Sequence, residues 1–267
     1  MVSNIKYGKD VIIEDNATIN VKHLKIGDRT IIRSGARIEG FKVILGTECY
    51  LDHNAVIGGG SCFDKEAYLI AGDWLHMGWN SQLNIARGID IGNEVGIGIE
   101  TKVFTHGAYL PIDKGFPAQW GGVKIGDNVW LPNAWVNPNI KIGSNVVVSA
   151  KSLINKDLPD GCLAGGVPAR ILKRNEYPID LSFISRLIIK NNLSSILKDV
   201  NHRAVVEINE DQDICVYTDE TVFNITERHI IGRVSDKSEL VKNQLRRNGI
   251  RFRYTSKNGW YVPWNEC

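Results

Sequence analysis

The sequence lacks a long apolar run, and it lacks cysteines in a metal-binding or redox spacing. Its 267 residues contain no run of about 18 apolar residues, the length that a membrane-spanning helix requires, and no apolar stretch follows the first lysines. The five cysteines are odd in number and scattered, with no CxxC pair: Cys49, Cys62, Cys162, Cys215 and Cys267. We therefore expect a soluble, cytoplasmic protein with no membrane span and with reduced, mostly buried thiols.

An excess of charge of either sign is also missing. The chain has 32 basic and 30 acidic residues, so its total charge selects no polyanionic partner. Apolar residues make up 43% of the chain, which is enough to build a buried core in one large domain or two ordinary ones. Charge can therefore indicate a function only where it is concentrated locally.

What the sequence does contain is a repeat of six residues. A small or β-branched residue often stands four positions after an aliphatic one, as at Thr30 and Ala36, and glycine often follows the aliphatic residue directly, as at Gly27 and Gly46. The aliphatic positions, with a few steps of five or seven residues, are Ile26, Ile32, Ile38, Leu45, Leu51, Ile57, Ile85, Ile91, Ile97, Val103, Ile125, Leu131, Val136, Ile142, Val148 and Ile154. A period of six fits neither an amphipathic helix nor a meander of unequal strands.

Short flat strands joined by tight turns account for this period. The aliphatic residue would fill the inside of a three-sided prism with about 18 residues in each coil, and glycine would tolerate the backbone of the corner. The alternative is an all-β sandwich with short strands, which leaves the many in-phase positions unexplained. The pattern thus favours a mainly β chain built around a parallel β-helix.

Two segments interrupt the repeat. The period is unclear from residue 63 to 78, and between 103 and 123 the chain reads FTHGAYLPIDKGFPAQWGGV, which is too rich in glycine, proline and polar residues for a coil. A loop of this length in a compact solenoid usually has a function.

Four motifs within residues 123–173 are specific enough to indicate a family. They are VKIGDNVW at 123–130, NP at 137–138, KDLP at 156–159 and AGGVPAR at 164–170. Together with LN at 83–84, IGN at 91–93 and TH at 105–106, they resemble the hexapeptide-repeat acyltransferases, in particular the branch of galactoside, maltose and nodulation-factor O-acetyltransferases. The resemblance is close over about residues 79–173, extends over 10–78 only as a repeat, and ends near residue 175.

The resemblance implies a left-handed β-helix, although parallel strands usually connect with the right hand. It also implies an acyltransferase domain at residues 1–175 with an active-site loop at about 104–122, followed by a small α+β C-terminal domain at 176–267 whose role the sequence does not indicate. The activity it implies is transfer of an acetyl group from acetyl-CoA, without a metal, to a hydroxyl or amino group of a sugar, a nucleotide sugar or a surface-polysaccharide unit. Members of the family assemble as homotrimers with sites between prisms, so the same assembly is expected here.

His106 is the candidate general base. Acyl transfer to a hydroxyl or amine needs a group that removes the acceptor's proton, and a neutral imidazole is available near neutral pH. His106 opens the long loop directly after a predicted strand, where a coil edge meets solvent. An isolated histidine there would read as a surface residue, whereas the family context assigns it to catalysis.

The resemblance also implies two residues that bind the acceptor. Asn84 matches the position that contacts the acceptor sugar, and its amide both donates and accepts hydrogen bonds; the alternative is an asparagine that caps a turn. Trp130 is either a wall of the acceptor or pantetheine pocket or a bulky outward residue on a strand.

For coenzyme A, the resemblance implies Ala150, beside which the pantetheine arm would approach the backbone, and Lys156, Arg170 and Lys173 for the phosphates. The alternative is that these three cations are ordinary solvated side chains. The family's small-residue stretch is here SAKS at 149–152, so Lys151 either reaches the phosphates or narrows the channel.

Two other function classes remain open. A γ-class carbonic anhydrase shares this prism but needs three histidines converging on zinc, and no second histidine stands near His106 in the downstream loop. A non-catalytic solenoid that binds a partner would leave His106 and the AGGVPAR segment without a purpose.

Past residue 175 the six-residue period ends and a different pattern begins. We predict a helix that starts at Pro178, strands at 204–208, 214–217 and 222–225, a second helix capped by Ser235 and a closing hairpin at 257–259. The apolar stripe of the first helix is formed by Ile184, Leu187, Ile188 and Leu197.

The last part of the chain interleaves basic and aromatic residues, a pattern compatible with binding a nucleotide or nucleic acid. The residues are Lys242, Arg246, Arg247, Arg251, Arg253, Lys257, Phe252, Tyr254, Trp260, Tyr261 and Trp264. Residues 207–227 of the same C-terminal domain are acidic. The sequence therefore favours basic side chains that are solvated or neutralised within the domain over nucleic-acid binding.

Overall fold

The repeat folds into a prism of short parallel strands. The structure is a computed structural model that describes residues 4–263, and it divides into two compact units with their boundary between Ile179 and Asp180. The fold class predicted from the sequence, mainly β with a left-handed parallel β-helix followed by a small α+β region, is confirmed. The assignment of an acyltransferase domain and a C-terminal domain to residues 1–175 and 176–267 stays a prediction.

The strands of the first unit are short, and nearly all pair in parallel. In chain order they are β1 (Asn4–Tyr7), β2 (Ile12–Ile13), β3 (Thr18–Ile26), β4 (Ile31–Ile32), β5 (Arg37–Leu45), β6 (Tyr50–Leu51), β7 (Val56–Gly58), β8 (Tyr68–Ala71), β9 (His76–Met77), β10 (Gln82–Asn84), β11 (Ile89–Ile91), β12 (Gly96–Ile97), β13 (Lys102–Phe104), β14 (His106–Gly107), β15 (Gln119–Trp120), β16 (Val123–Ile125), β17 (Val129–Leu131), β18 (Trp135–Val136), β19 (Lys141–Ile142), β20 (Val146–Val148), β21 (Leu153–Ile154), β22 (Leu163–Gly166) and β23 (Ala169–Lys173). A short 3-10 helix spans Ile112–Lys114.

These strands form the three faces of the prism. The first face contains β8, β11, β16 and β19, the second runs from β2 through β4, β6, β9, β12, β17 and β20 to β22, and the third contains β7, β10, β13, β18 and β21. The long strands β3 and β5 contribute to both the first and the third face. The first half of β5 pairs with β7 and its second half pairs with β8, while β3 pairs with β5 along both halves. The antiparallel hairpin of β22 and β23 ends the second face.

The aliphatic positions of the repeat fill the inside of the prism, as predicted. All sixteen of them, from Ile26 to Ile154, are buried in one core cluster. On the third face the stacked inward residues are Ile38, Ile57, Leu83, Val103, Val136 and Ile154, in register from coil to coil.

Two details of the predicted phase were wrong. Ile85 is buried but lies beyond the end of β10, and Leu83 occupies the stacked position instead. The repeat also continues through most of 63–78, since β8 and β9 pair in register with both of their neighbours. The interruption is shorter, at residues 59–67. Ala71 and Met77 concealed the period because neither is a typical β-branched residue.

We predicted that glycine tolerates the backbone of the corners, but the structure gives it a different role there. The left-handed backbone falls two residues later, at Arg29 with φ 53° and Glu48 with φ 57°. The glycines after the first face instead stack on one another along one edge, which we call the glycine edge: Gly8, Gly27, Gly46, Gly72, Gly92, Gly126 and Gly143. A methyl group on Gly46 would lie 2.5 Å from the carbonyl carbon of Gly72, so close packing of coils requires glycine there.

A second edge, between the third and first faces, carries the insertions. We call it the loop edge, and it consists of residues 59–67, 85–88 and 105–122. Within the last segment β14 and β15 pair in antiparallel fashion and close the base of the loop. The third edge, between the second and third faces, has short turns that include Lys151 with φ 59°.

The second unit is an antiparallel sheet with two helices. Its elements are α1 (Phe183–Lys198), β24 (Val205–Ile208), β25 (Ile214–Tyr217), β26 (Thr221–Asn224), β27 (His229–Arg233), α2 (Asp236–Arg247), β28 (Tyr254–Lys257) and β29 (Trp260–Pro263), with the sheet order β24-β25-β26-β27-β29-β28. The predicted cap Ser235 and the hairpin at 257–259 are present. Strand β27 was missed.

Helix α1 starts later than predicted. Ser182 caps it by accepting a hydrogen bond from the Ser185 backbone, so Pro178 lies before the helix. A serine cap satisfies a free backbone N–H, which proline at a helix start does not do. Of the predicted stripe, Leu197 is buried, whereas Ile184 and Ile188 are exposed.

Some of the basic and aromatic residues of this unit contact each other and an acidic residue. Lys242 donates to Glu239 at 2.7 Å and lies over the Tyr254 ring, with 4.4 Å between its Nζ atom and the ring centroid. Trp264 lies outside the described residues.

The described cysteines are free and buried, as predicted: Cys49, Cys62, Cys162 and Cys215. Burial raises the pKa of Cys49 to about 12. Cys267 lies outside the described residues. No helix within residues 4–263 is both long enough and apolar enough to cross a membrane.

Candidate active site

His106 lies at the start of the longest insertion on the loop edge. It is the first residue of β14 and stands directly opposite Trp120 of β15 in the antiparallel pair. The side chain is half-buried, and its ring stacks on the Trp120 indole with 4.8 Å between ring centroids and 20° between planes. The contact between His106 and Trp120 therefore joins the two ends of the polar, glycine-rich loop that the sequence predicts.

The surroundings of His106 favour its neutral form. Burial lowers the pKa of His106 below its ordinary value, and the positive charge of Arg87 lowers this pKa further. Its Nδ1 atom is buried and has no hydrogen-bond partner among the described residues. A neutral imidazole can accept a proton at neutral pH, which is what a general base must do.

Asn84 lies beside His106 on the loop edge. A methyl group on Gly59 would lie 2.6 Å from Asn84 Nδ2, and one on Gly60 would lie 3.6 Å from His106 Nε2, so both side chains border the same glycine pair. Asn84 is 6% exposed, and its Oδ1 accepts a hydrogen bond from the Ala86 backbone at 3.3 Å. The structure thus brings together the predicted general base and one of the two residues predicted to bind the acceptor.

Thr105 connects the coils that carry these two residues. Its hydroxyl donates to the Asn84 carbonyl at 2.7 Å and accepts from the Arg87 backbone at 2.9 Å. Thr105 is fully buried, so it holds the two insertions 85–88 and 105–122 in register next to His106.

Trp130 is not part of this group. It lies on the second face, where its indole covers Gly96 in the neighbouring strand and approaches Gly98. The side chain is 44% exposed. In this chain Trp130 is an outward residue of a strand, on a different face from Asn84 and His106.

The residues predicted to bind coenzyme A are spread over the C-terminal coils. Ala150 is exposed in the turn after β20, Lys156 is exposed beyond the end of β21, and Arg170 is exposed in β23 opposite Gly165. Lys173 forms an ion pair of 2.6 Å with Glu176, which raises the pKa of Lys173. These residues do not form one cluster.

An open groove of about 330 Å³ lies along the third edge, next to some of these residues. Its walls include Trp135, Lys151, Ser152 and Val167. Trp135 also stacks on Phe104, with 4.7 Å between ring centroids, and Phe104 stands opposite Asn84 in the neighbouring strand. Aromatic side chains on the third face therefore extend from the groove towards the loop edge.

Arg87 and Trp120 were missed by the sequence analysis. Arg87 lies with its guanidinium carbon 4.5 Å from the Trp120 ring centroid. Neither residue occupies a position of the six-residue period, because both belong to insertions. The only signal in the sequence was that Trp120 precedes the Gly121-Gly122 pair where the loop ends.

Among residues 4–263, no group of three or more His, Cys, Asp or Glu side chains could hold a metal ion.

Comparisons with known proteins give acetyltransferases as relatives, while no protein-family model matches the chain. The protein named "Putative acetyltransferase YvoF" from Bacillus subtilis (strain 168) is 39% identical over 89 residues, which cover 33% of this chain and 49% of that protein. The galactoside O-acetyltransferase of Escherichia coli (strain K12) is 29% identical over 128 residues, which cover 45% of this chain and 63% of the enzyme.

One of the similar solved structures is that of AntD, an N-acyltransferase from Bacillus cereus in complex with dTDP and 3-hydroxybutyryl-CoA. It aligns with a TM-score of 0.45 and 20% sequence identity, and the alignment covers 73% of this chain and 90% of the AntD chain. The resemblance to acetyltransferases that include the galactoside branch is confirmed by the sequence relatives. The chain spans between about half and two thirds of the length of the curated relatives described here.

Proposed function

We propose that the chain is an acetyltransferase that transfers an acetyl group from acetyl-CoA to a hydroxyl or amino group of a sugar, including a nucleotide-linked sugar or a polysaccharide unit. The observation that carries the proposal is the placement of a half-buried His106 and of Asn84 on the same glycine pair of the loop edge. The similarity to a galactoside O-acetyltransferase supports this assignment of chemistry.

In the proposed reaction His106 Nε2 takes the proton from the acceptor hydroxyl or amine as its oxygen or nitrogen attacks the thioester carbonyl. The acceptor atom forms a bond with the acetyl carbon, and the bond between that carbon and sulfur breaks. The imidazolium then returns the proton to the departing thiolate, so that coenzyme A leaves as a thiol and the base is regenerated. The Asn84 amide would hold an acceptor hydroxyl beside His106.

The groove on the third edge is the proposed path of the pantetheine arm. It borders the turn that contains Ala150 and Lys151, and the hairpin that carries Arg170, so the cofactor phosphates would meet cations at this end. Lys156 and Lys173 remain candidates for phosphate binding, with Lys173 having to leave Glu176 to contribute. Trp130 remains a candidate wall of the acceptor or pantetheine pocket.

We further propose a cytoplasmic homotrimer with its sites between prisms. Outward aromatic residues such as Trp135, which is 48% exposed, would pack on a neighbouring prism. Light scattering at micromolar concentration tests this assembly, and an active monomer would contradict it.

The decisive experiment measures thiol release from acetyl-CoA over a panel of sugars and nucleotide sugars, together with calorimetric binding of acetyl-CoA. We expect turnover with at least one acceptor and saturable binding of the cofactor. A chain that neither turns over any acceptor nor binds acetyl-CoA would overturn the proposal.

A further inference from the structure

The orientation of the His106 ring needs a structural cause. A histidine base usually keeps its ring in place through a hydrogen bond from its second nitrogen. Here that nitrogen, Nδ1, is buried and has no such partner among the described residues. Contacts with the faces and edges of the ring must therefore hold it.

Trp120 supplies the main contact. The two rings stack nearly parallel, at 20°, and the two residues stand opposite each other in the short antiparallel pair. Backbone pairing thus fixes the distance between the residues, and the indole restricts rotation of the imidazole about its last side-chain bond.

Arg87 in turn contacts Trp120. Its guanidinium carbon lies 4.5 Å from the indole centroid, its Nη1 donates to the Ala86 carbonyl at 2.7 Å, and its Nε pairs with Glu66 at 3.1 Å. A second carboxylate, Asp64, lies 3.6 Å from Nη1. Both acidic residues belong to the insertion 59–67, so Arg87 connects that insertion to the indole that packs against His106.

We infer that Arg87 and Trp120 are positioning residues for His106: the indole sets the orientation of the ring, and the guanidinium orders the indole and disfavours a second positive charge beside it. The inference rests on the proposed role of His106 as the general base. It explains why insertions at 59–67, 85–88 and 105–122 occur on the same edge, because each contributes one part of the arrangement.

The charges that act on His106 can be enumerated from the elements around it. Arg87 is the cation that lowers the pKa of His106, and Asp64 and Glu66 form ion pairs with Arg87. Within the long loop, Asp113 and Lys114 pair with each other at 3.6 Å and are largely exposed. Lys65 is exposed in the insertion 59–67. Loss of the Arg87 charge should therefore raise the pKa of His106 towards its ordinary value.

The test follows the titration of His106 by NMR in protein with labelled histidine, with the signal assigned from its loss in His106→Asn. We expect the wild-type pKa to lie below its ordinary value and to rise in Arg87→Gln, while Arg87→Lys, which keeps the charge, leaves it nearly unchanged. The matched control is Arg37→Gln, because Arg37 forms an exposed ion pair with Glu39 on the third face. An unchanged titration in Arg87→Gln would overturn the electrostatic part of the inference.

Steady-state kinetics test the positional part. Trp120→Ala should lower kcat by about 10²-fold with a smaller change in KM, since a misplaced base affects the chemical step, and Trp120→Phe should restore most of the loss by keeping an aromatic ring. Equal kcat in wild type and Trp120→Ala would overturn this part. If His106→Asn retained full activity, the proposed role of His106 as the base would fail instead. If the wild type neither turned over any acceptor nor bound acetyl-CoA, the proposed function would fail, while the NMR titration would still report whether Arg87 acts on His106.

Discussion

The glycine edge and the loop edge of the prism belong to the same coils, but the first is close-packed and the second carries insertions. Along the glycine edge, successive coils pack backbone against backbone, as at Gly46 and Gly72, and the chain passes each corner without an insertion. Along the loop edge, three coils depart from the period at 59–67, 85–88 and 105–122. The polar, aromatic and charged side chains that surround His106 are found at these departures.

This difference shows where a repetitive fold has room for a candidate site. A repeat that pairs each coil with the next leaves no room for a cavity, because every inward position is filled and every corner is close-packed. Chemistry therefore requires residues that do not obey the repeat. In this chain such residues are concentrated on the loop edge, while the glycine edge keeps the coils in register.

The largest expected effect is that of His106→Ala on the loop edge. Removing the proposed base should lower turnover by about two to four orders of magnitude, with little change in the unfolding midpoint, since His106 lies outside the core of the prism. The matched control is His202→Ala, an exposed histidine of the second unit. Near-normal turnover of His106→Ala would show that another group acts as the base.

The next effect concerns the glycine edge. Gly46→Ala should destabilise the protein by about 1–3 kcal/mol, because the new methyl group would lie 2.5 Å from the Gly72 carbonyl and the coils would have to separate. Urea denaturation measures the change. Gly107→Ala on the loop edge is the control, because apart from the two adjacent residues no atom lies within 4 Å of its methyl position. Equal stability of the two variants would contradict the contrast between the edges.

A smaller loss of stability is expected in the second unit, where the substitution removes a single hydrogen bond and does not force coils apart. Ser235 caps α2 by accepting a hydrogen bond from the Ser238 backbone at 3.2 Å, so Ser235→Ala should cost about 1 kcal/mol. Ser256→Ala, on the exposed side of a strand, should cost almost nothing. Thermal unfolding with a probe in residues 180–263 distinguishes these results from an effect on the prism.

The smallest effect is the pH response between neutral and mildly acidic conditions. Burial and Arg87 lower the pKa of His106, so the base stays unprotonated below the pH at which an ordinary histidine gains a proton. We expect kcat/KM to be nearly constant from pH 8 down to about 6.5, the ordinary histidine pKa, and to fall only as the pH decreases through the lowered value. A decline that begins above pH 6.5 would contradict this expectation.

Within the candidate site, the sequence marked the residues that lie in a family motif and did not mark those outside one. His106 and Asn84 were identified by their context and do lie together. Trp130 was grouped with them, although it lies on another face, because a motif records residue types and not the face on which each side chain projects. Arg87 and Trp120 had no period and no motif to mark them.

Periodicity alone determined the prism, its buried aliphatic columns and the interruption at the long loop, because six-residue spacing permits few backbone geometries that bury the same positions of every repeat. Tertiary structure decided the rest. The stacking of Trp120 on His106, the reach of Arg87 to Glu66 and the close contact of Gly46 with Gly72 join residues from different coils. Such contacts depend on how insertions and backbones fold back in space, and no local pattern of residues encodes them.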